Sequence, residues 1–123
     1  MRVPILKQGP YLIASVQSAL TDADLTQLRD ELTELVGRHR STGVVVDVTV
    51  LDVMDSFAAR MIRTIAHTIR LRGAQTVIVG IQPDVAFSMV QLGLSLEGVA
   101  TALDLEDGLA LLAGATEADG RVP

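Results

Sequence analysis

Two hydrophobic periods divide this chain. Short apolar runs, rich in β-branched residues, lie at residues 3–7, 11–16, 76–81 and 99–103, with a further run opening at Val44. Between them stand longer segments whose apolar residues recur every three or four positions. The first kind predicts strands and the second amphipathic helices. Gln8-Gly9-Pro10 reads as the turn of an N-terminal hairpin. Thr21 and Asp24 form an approximate capping box, with Asp in place of the usual Glu or Gln. The helix after them carries Leu25, Leu28, Leu32, Leu35 and Val36 on one stripe and runs out near Arg38-His39-Arg40. A second helix, residues 57–71, buries Ala58, Met61, Ile62, Ile65 and Ile69 and stops at Gly73. A third opens with Pro83 at its first position, turns Val85, Ala86, Met89 and Val90 inward, and ends at Gly93. Asp104 caps a fourth helix through Leu112, carrying Leu105, Leu109 and Leu112. Gly37, Gly43, Gly73, Gly80 and Gly93 read as stops or turns.

The order is β-β-α-β-α-β-α-β-α. Helices alternating with buried strands imply a mixed, mostly parallel α/β sheet with an antiparallel hairpin at its start. Residues 1–113 are expected to form one domain and residues 114–123 a flexible tail. At 123 residues the chain is long enough for a substantial core. Apolar residues make up 49% but aromatics only 2%, so that core must be aliphatic.

The net charge of −5 argues against a general nucleic-acid footprint. The absence of cysteine excludes disulfides and thiolate chemistry. His39 and His67 have no metal-ligand spacing, and no phosphate-binding glycine loop or nucleophile elbow is present. No metal and no cofactor are expected, and the missing phosphate loop weighs against a small enzyme or nucleotide-binding domain. No apolar run approaches the roughly 20 residues of a membrane helix, and Met1-Arg2-Val3-Pro4 lacks the apolar core of a signal peptide. A soluble cytoplasmic protein is expected.

Of the carboxylates that could be grouped as a site, Asp52 and Asp55 belong to a strand-to-helix turn and Asp84 to a helix first turn. No His or Lys is placed to complete an acid–base pair with them. Asp47 interrupts a valine run and is expected to be structural. Asp55-Ser56 are both favoured N-cap residues and stand just past the central strand. Ser56 is therefore either a capping hydroxyl bonded to a first-turn N–H or a hydroxyl presented at the positive end of a helix. Arg60, Arg63, His67 and Arg70 share one face of the second helix, either as a solvated face or as a docking face for an acidic partner.

Val46-Asp47-Val48 followed by Met54-Asp55-Ser56-Phe57 resembles the strand and phosphorylatable loop of STAS domains, the fold of bacterial anti-sigma-factor antagonists. The likeness continues through Gly73-Ala74, Val79-Gly80-Ile81-Gln82-Pro83, Leu92-Gly93-Leu94 and residues 102–109. The combination is similar to the RsbS type, the single-domain scaffold of stressosomes. By that resemblance Ser56 is the serine phosphorylated by an RsbT-like switch kinase. The resemblance also implies RsbR-type STAS paralogues as partners and self-association into a large complex that sequesters the kinase until stress. Asp52, Asp55, Ser56, Phe57 and Arg60 are then the expected partner-binding residues. Ser88 falls where RsbR-type paralogues carry a second phosphorylatable threonine, and is the weaker candidate phosphosite. The alternative is a free, SpoIIAA-like antagonist binding an anti-sigma kinase. That branch usually has Ser and Gly after its phosphoserine, where Phe57-Ala58 stands here.

Overall fold

The computed structural model describes residues 3–120 along the backbone and residues 3–114 in their side chains. The elements are β1 (Ile5–Gln8), β2 (Tyr11–Ser15), α1 (Asp22–His39), β3 (Gly43–Asp47), α2 (Ser56–Leu71), β4 (Gln75–Val79), α3 (Pro83–Gln91), β5 (Ala100–Ala102) and α4 (Leu105–Gly120). They form one sheet in the order β1-β2-β3-β4-β5, antiparallel between β1 and β2 and parallel thereafter. This is the expected order and the expected mixed sheet.

The central strands are buried on both faces because helices cover both. Val44, Val46 and Ile78 point into the layer beneath α1, α2 and α3, while Val45, Val77 and Val79 meet α4. Leu32 of α1 and Ile69 of α2 are fully buried in the larger layer. Each such side chain contributes about 1.5–3 kcal/mol of burial. The core is aliphatic throughout. α1 begins with the expected capping box: Asp24 N–H donates to Thr21 Oγ1 at 3.1 Å, and Thr21 N–H donates to Asp24 Oδ2 at 3.0 Å.

Four local expectations are corrected. Gly37 is inside α1, and the helix ends instead at Arg40, which adopts the left-handed conformation with φ 51°. Gly43, expected as a stop or turn, is the first residue of β3, which runs to Asp47, where the carboxylate accepts both the N–H and the hydroxyl of Thr49. In α3 only Val85 and Met89 are buried, while Ala86 and Val90 face outward: this short helix lies over the sheet margin and packs along a narrow stripe. α4 continues along the backbone to Gly120, beyond the expected end at Leu112. Of the expected tail, residues 121–123 lie outside the described residues.

Candidate functional site

The segment from Val48 to Asp55 carries the chain from the end of β3 to α2. It is held at four points. Val48 N–H donates to Val79 O at 3.0 Å, extending the β3–β4 pairing by one residue. Asp47 Oδ1 accepts from Thr49 N–H at 2.9 Å and from Thr49 Oγ1 at 2.6 Å, which is the structural role expected of it. Leu51 N–H closes a turn on Val48 O at 2.9 Å. Gln82 Nε2, just before α3, donates to Thr49 O at 2.7 Å. Leu51 and Met54 are buried and plug the segment into the core. Val50 and Val53 point the other way, 55% and 70% exposed.

The cap of α2 is Asp55, not Ser56. Asp55 has extended backbone angles and its Oδ1 accepts from Ala58 N–H at 2.8 Å. Its carbonyl takes the first helical bond, from Ala59 N–H at 3.0 Å. Ser56 is thereby the first residue inside the helix, exposed, with a hydroxyl that makes no hydrogen bond among the described residues. The capping reading of Ser56 is thus replaced. A carboxylate one residue earlier reaches the third-position N–H, so the serine oxygen is left over. The N–H groups of Ser56 and Phe57 have no partner among the described residues and face the same opening. An added phosphate would find there unsatisfied donors and the positive end of the helix dipole. Asp55→Ala is expected to cost about 0.5–2 kcal/mol of stability through the lost cap. Urea unfolding followed by circular dichroism reads this directly, and an unchanged midpoint would deny Asp55 the capping role.

The expected partner-binding residues lie at one end of the molecule. Asp52, Asp55, Ser56 and Arg60 are exposed, and Phe57 is half-buried. The pattern of residue types did not single out Val50 and Val53, yet both are outward apolar groups on the segment that leads to the serine. The signal that could have found them is the alternation Val50-Leu51-Asp52-Val53-Met54, in which only two apolar residues can face the core. Beside them a small cavity of about 200 Å³ is lined by residues including Leu20, Leu51, Val53, Asp55 and Ile62. Asp84 stays in the first turn of α3, apart from this group. Among the described residues no three His, Cys, Asp or Glu side chains gather as a metal-binding group. No helix among them is long and apolar enough to cross a membrane.

Ser88 is also exposed, but in the interior of α3, where its carbonyl accepts from Leu92 N–H at 2.9 Å. It therefore lacks the free donors that surround Ser56. Arg60, Arg63 and His67 line an open groove of about 480 Å³ with Glu97 and Gly98, and Arg70 turns its guanidinium to Gly98 O.

Known proteins share this fold. The STAS domain model fits residues 2–108. A serine-to-glutamate variant of RsbS from Moorella thermoacetica superimposes with a TM-score of 0.79 and 35% identity, covering 94% of this chain and 97% of that one. A chain from the stressosome, described as a signal integration and transduction hub, gives 0.77 and 35%, covering 92% and 98%. The RsbT co-antagonist protein RsbRA of Bacillus subtilis (strain 168) is 34% identical over 83 residues. That match takes in 68% of this chain but only 30% of RsbRA, so the chain spans under a third of that relative's length.

Proposed function

Because the chain belongs to the STAS domain family, we propose that it is a non-enzymatic, cytoplasmic scaffold of the stressosome type that holds an RsbT-like switch kinase and releases it when Ser56 is phosphorylated. The observation that carries this reading is the Ser56 hydroxyl. It is exposed and unbonded at the first position of α2, beside two unsatisfied N–H groups. The site is built to receive a phosphate without unfolding. The likeness to RsbS and to a stressosome chain, both at 35% identity over more than nine-tenths of this chain, supports the same reading.

Phosphate adds about −1.5 to −2 charges. Asp52 and Asp55 already stand there, so the end of the molecule becomes strongly negative while the fold is retained. A partner resting its apolar surface on Val50 and Val53, or presenting a carboxylate, is then repelled. The switch is electrostatic and acts at an interface. Self-association, with RsbR-type STAS paralogues as co-subunits, completes the proposal.

Incubation with the cognate switch kinase and ATP, followed by phosphopeptide mass spectrometry, tests the central step. Ser56 is expected to be modified first. Ser88 is expected to be slower or unmodified, because a phosphate in the helix interior meets no free donors and a faded dipole. Ser88 outpacing Ser56, or no transfer to Ser56, refutes the assignment. Sedimentation with an RsbR-type paralogue tests the assembly, which a strict monomer at high concentration would contradict.

A further inference from the structure

α2 is chemically one-sided. Between Ser56 and Leu71 it carries Arg60, Arg63, His67 and Arg70 and no acidic residue, in a chain whose net charge is −5. These cations are not a by-product of overall composition. Neither Arg60 nor Arg63 makes an ion pair among the described residues. Arg70 is held back against Gly98 O, and with it the segment before β5 becomes the far wall of the groove. That wall fits closely. Gly98 has φ +81°, and a Cβ there would stand 2.9 Å from His67 Nε2. Glu97 is the one acid in the lining, so the groove keeps a net positive charge.

The same chain offers a complement. Of the acids of α1, Asp24 is held in the capping box, Asp30 by Arg29 and Glu34 by Arg38, while Asp22 is exposed and makes no ion pair among the described residues. Asp55 caps α2. Asp22, Asp52 and Asp84 are exposed singly, whereas the first turn of α4 gathers its acids side by side. Glu106 and Asp107 are exposed and make no ion pair among the described residues, and Asp104 beside them caps the helix through Asp107 N–H at 2.9 Å. α4 packs alone on one face of the sheet, and α2 lies on the other. One copy therefore cannot bring its own acidic turn to its own groove.

We propose that the α2 groove receives the acidic first turn of α4 from a second copy of this chain. The contact is head-to-tail, so a pair of copies still has one groove, on one copy, and one acidic turn, on the other, free for further copies. Such heterologous contacts build rings or extended arrays rather than closed pairs. The proposal deepens the self-association in the proposed function and rests on that part alone. It does not depend on the kinase or on Ser56.

Sedimentation of the purified, unphosphorylated full chain at low and high salt tests it. Arg63→Glu and Glu106→Arg are each expected to weaken self-association by about fivefold. A mixture of the two single variants re-creates an unswapped groove facing an unswapped turn and is expected to recover part of the lost association. A chain carrying both substitutions restores opposite charges at every contact and is expected to return to within about twofold of the parent. High salt is expected to weaken the parent as well. Circular dichroism establishes folding, and Arg60→Glu with Asp107→Arg serves as a second pair if either variant unfolds. Single variants that sediment like the parent, or a double variant no better than the weaker single, overturn this contact while leaving the phosphorylation reading intact. A parent chain that stays monomeric alone overturns this contact, and one that also stays monomeric with an RsbR-type paralogue overturns the assembly as well.

Discussion

Ser56→Ala, given the cognate switch kinase and ATP, is expected to take up no phosphate at this position and to keep the kinase bound. The expected stability change is small, within about 0.5 kcal/mol. The reason is structural: Asp55, not Ser56, supplies the oxygen that caps α2, and the serine hydroxyl has no hydrogen bond to lose. Loss of phosphorylation would therefore not be a consequence of a weakened helix. Ser56→Asp places one negative charge at the first helical position, where the dipole favours it by about 0.3–1 kcal/mol. The nearby Asp52 and Asp55 oppose that gain. Its charge is smaller than the −1.5 to −2, approximately, of a phosphate, so kinase release is expected to be partial. The two variants should then retain the kinase to opposite extents while both remain folded. A pull-down of the kinase by each, with circular dichroism alongside, makes the comparison. Folded Ser56→Ala phosphorylated to the parent's extent, or Ser56→Asp holding the kinase as tightly as Ser56→Ala, would place the switch elsewhere.

Gly80→Ala is expected to be strongly disruptive for so small a substitution. Gly80 follows β4 with φ +81°, which non-glycine residues adopt at a cost of about 1–3 kcal/mol. It also passes directly against the segment that leads to Ser56. A Cβ at this position would meet Thr49 Oγ1 at 2.1 Å and Thr49 Cα at 3.2 Å. Rotating the Thr49 side chain relieves the first contact only, and doing so breaks its hydrogen bond to Asp47. Relieving the second moves backbone, and with it the Thr49 carbonyl that Gln82 holds. The sum is about 2–4 kcal/mol, or a fall in Tm of about 10 °C. Thr49→Ala in the same chain removes the oxygen and is expected to recover part of that loss, never the backbone term. Calorimetry of the two variants decides it, and a Gly80→Ala protein within about 0.5 kcal/mol of the parent would show that the two turns do not brace each other. If the brace positions Ser56, phosphorylation is expected to slow in Gly80→Ala and to recover with Thr49→Ala.

Much of this was legible along the chain. Val44, Val45 and Val46 form a run too apolar for any place but the middle of a covered sheet. Leu25, Leu28, Leu32 and Val36 recur at helical spacing, and Thr21 and Asp24 mark where that helix starts. These signals are local, because period and capping chemistry act over a few residues. The same locality made Ser56 and Asp55 hard to separate. Both are good caps, and the first residue of a helix is fixed by which oxygen reaches the third N–H, a matter of backbone angles. The role of Gly80 was hidden for another reason. A glycine after a strand reads as a turn, and its left-handed φ agrees with that, but the nearness of Thr49 arises between segments 31 residues apart in the chain.

The sequence alone determined the order of elements, the aliphatic core and the position of a hydroxyl at the mouth of α2, because each depends on the chemistry of neighbours in the chain. Only the tertiary structure decided that this hydroxyl is free, that Val50 and Val53 face outward on the segment before it, and that the cations of α2 form a groove with Glu97 and Gly98. Those facts depend on which side of the sheet a helix settles and on which distant turn it meets. Packing settles both, and no short stretch of residues contains them.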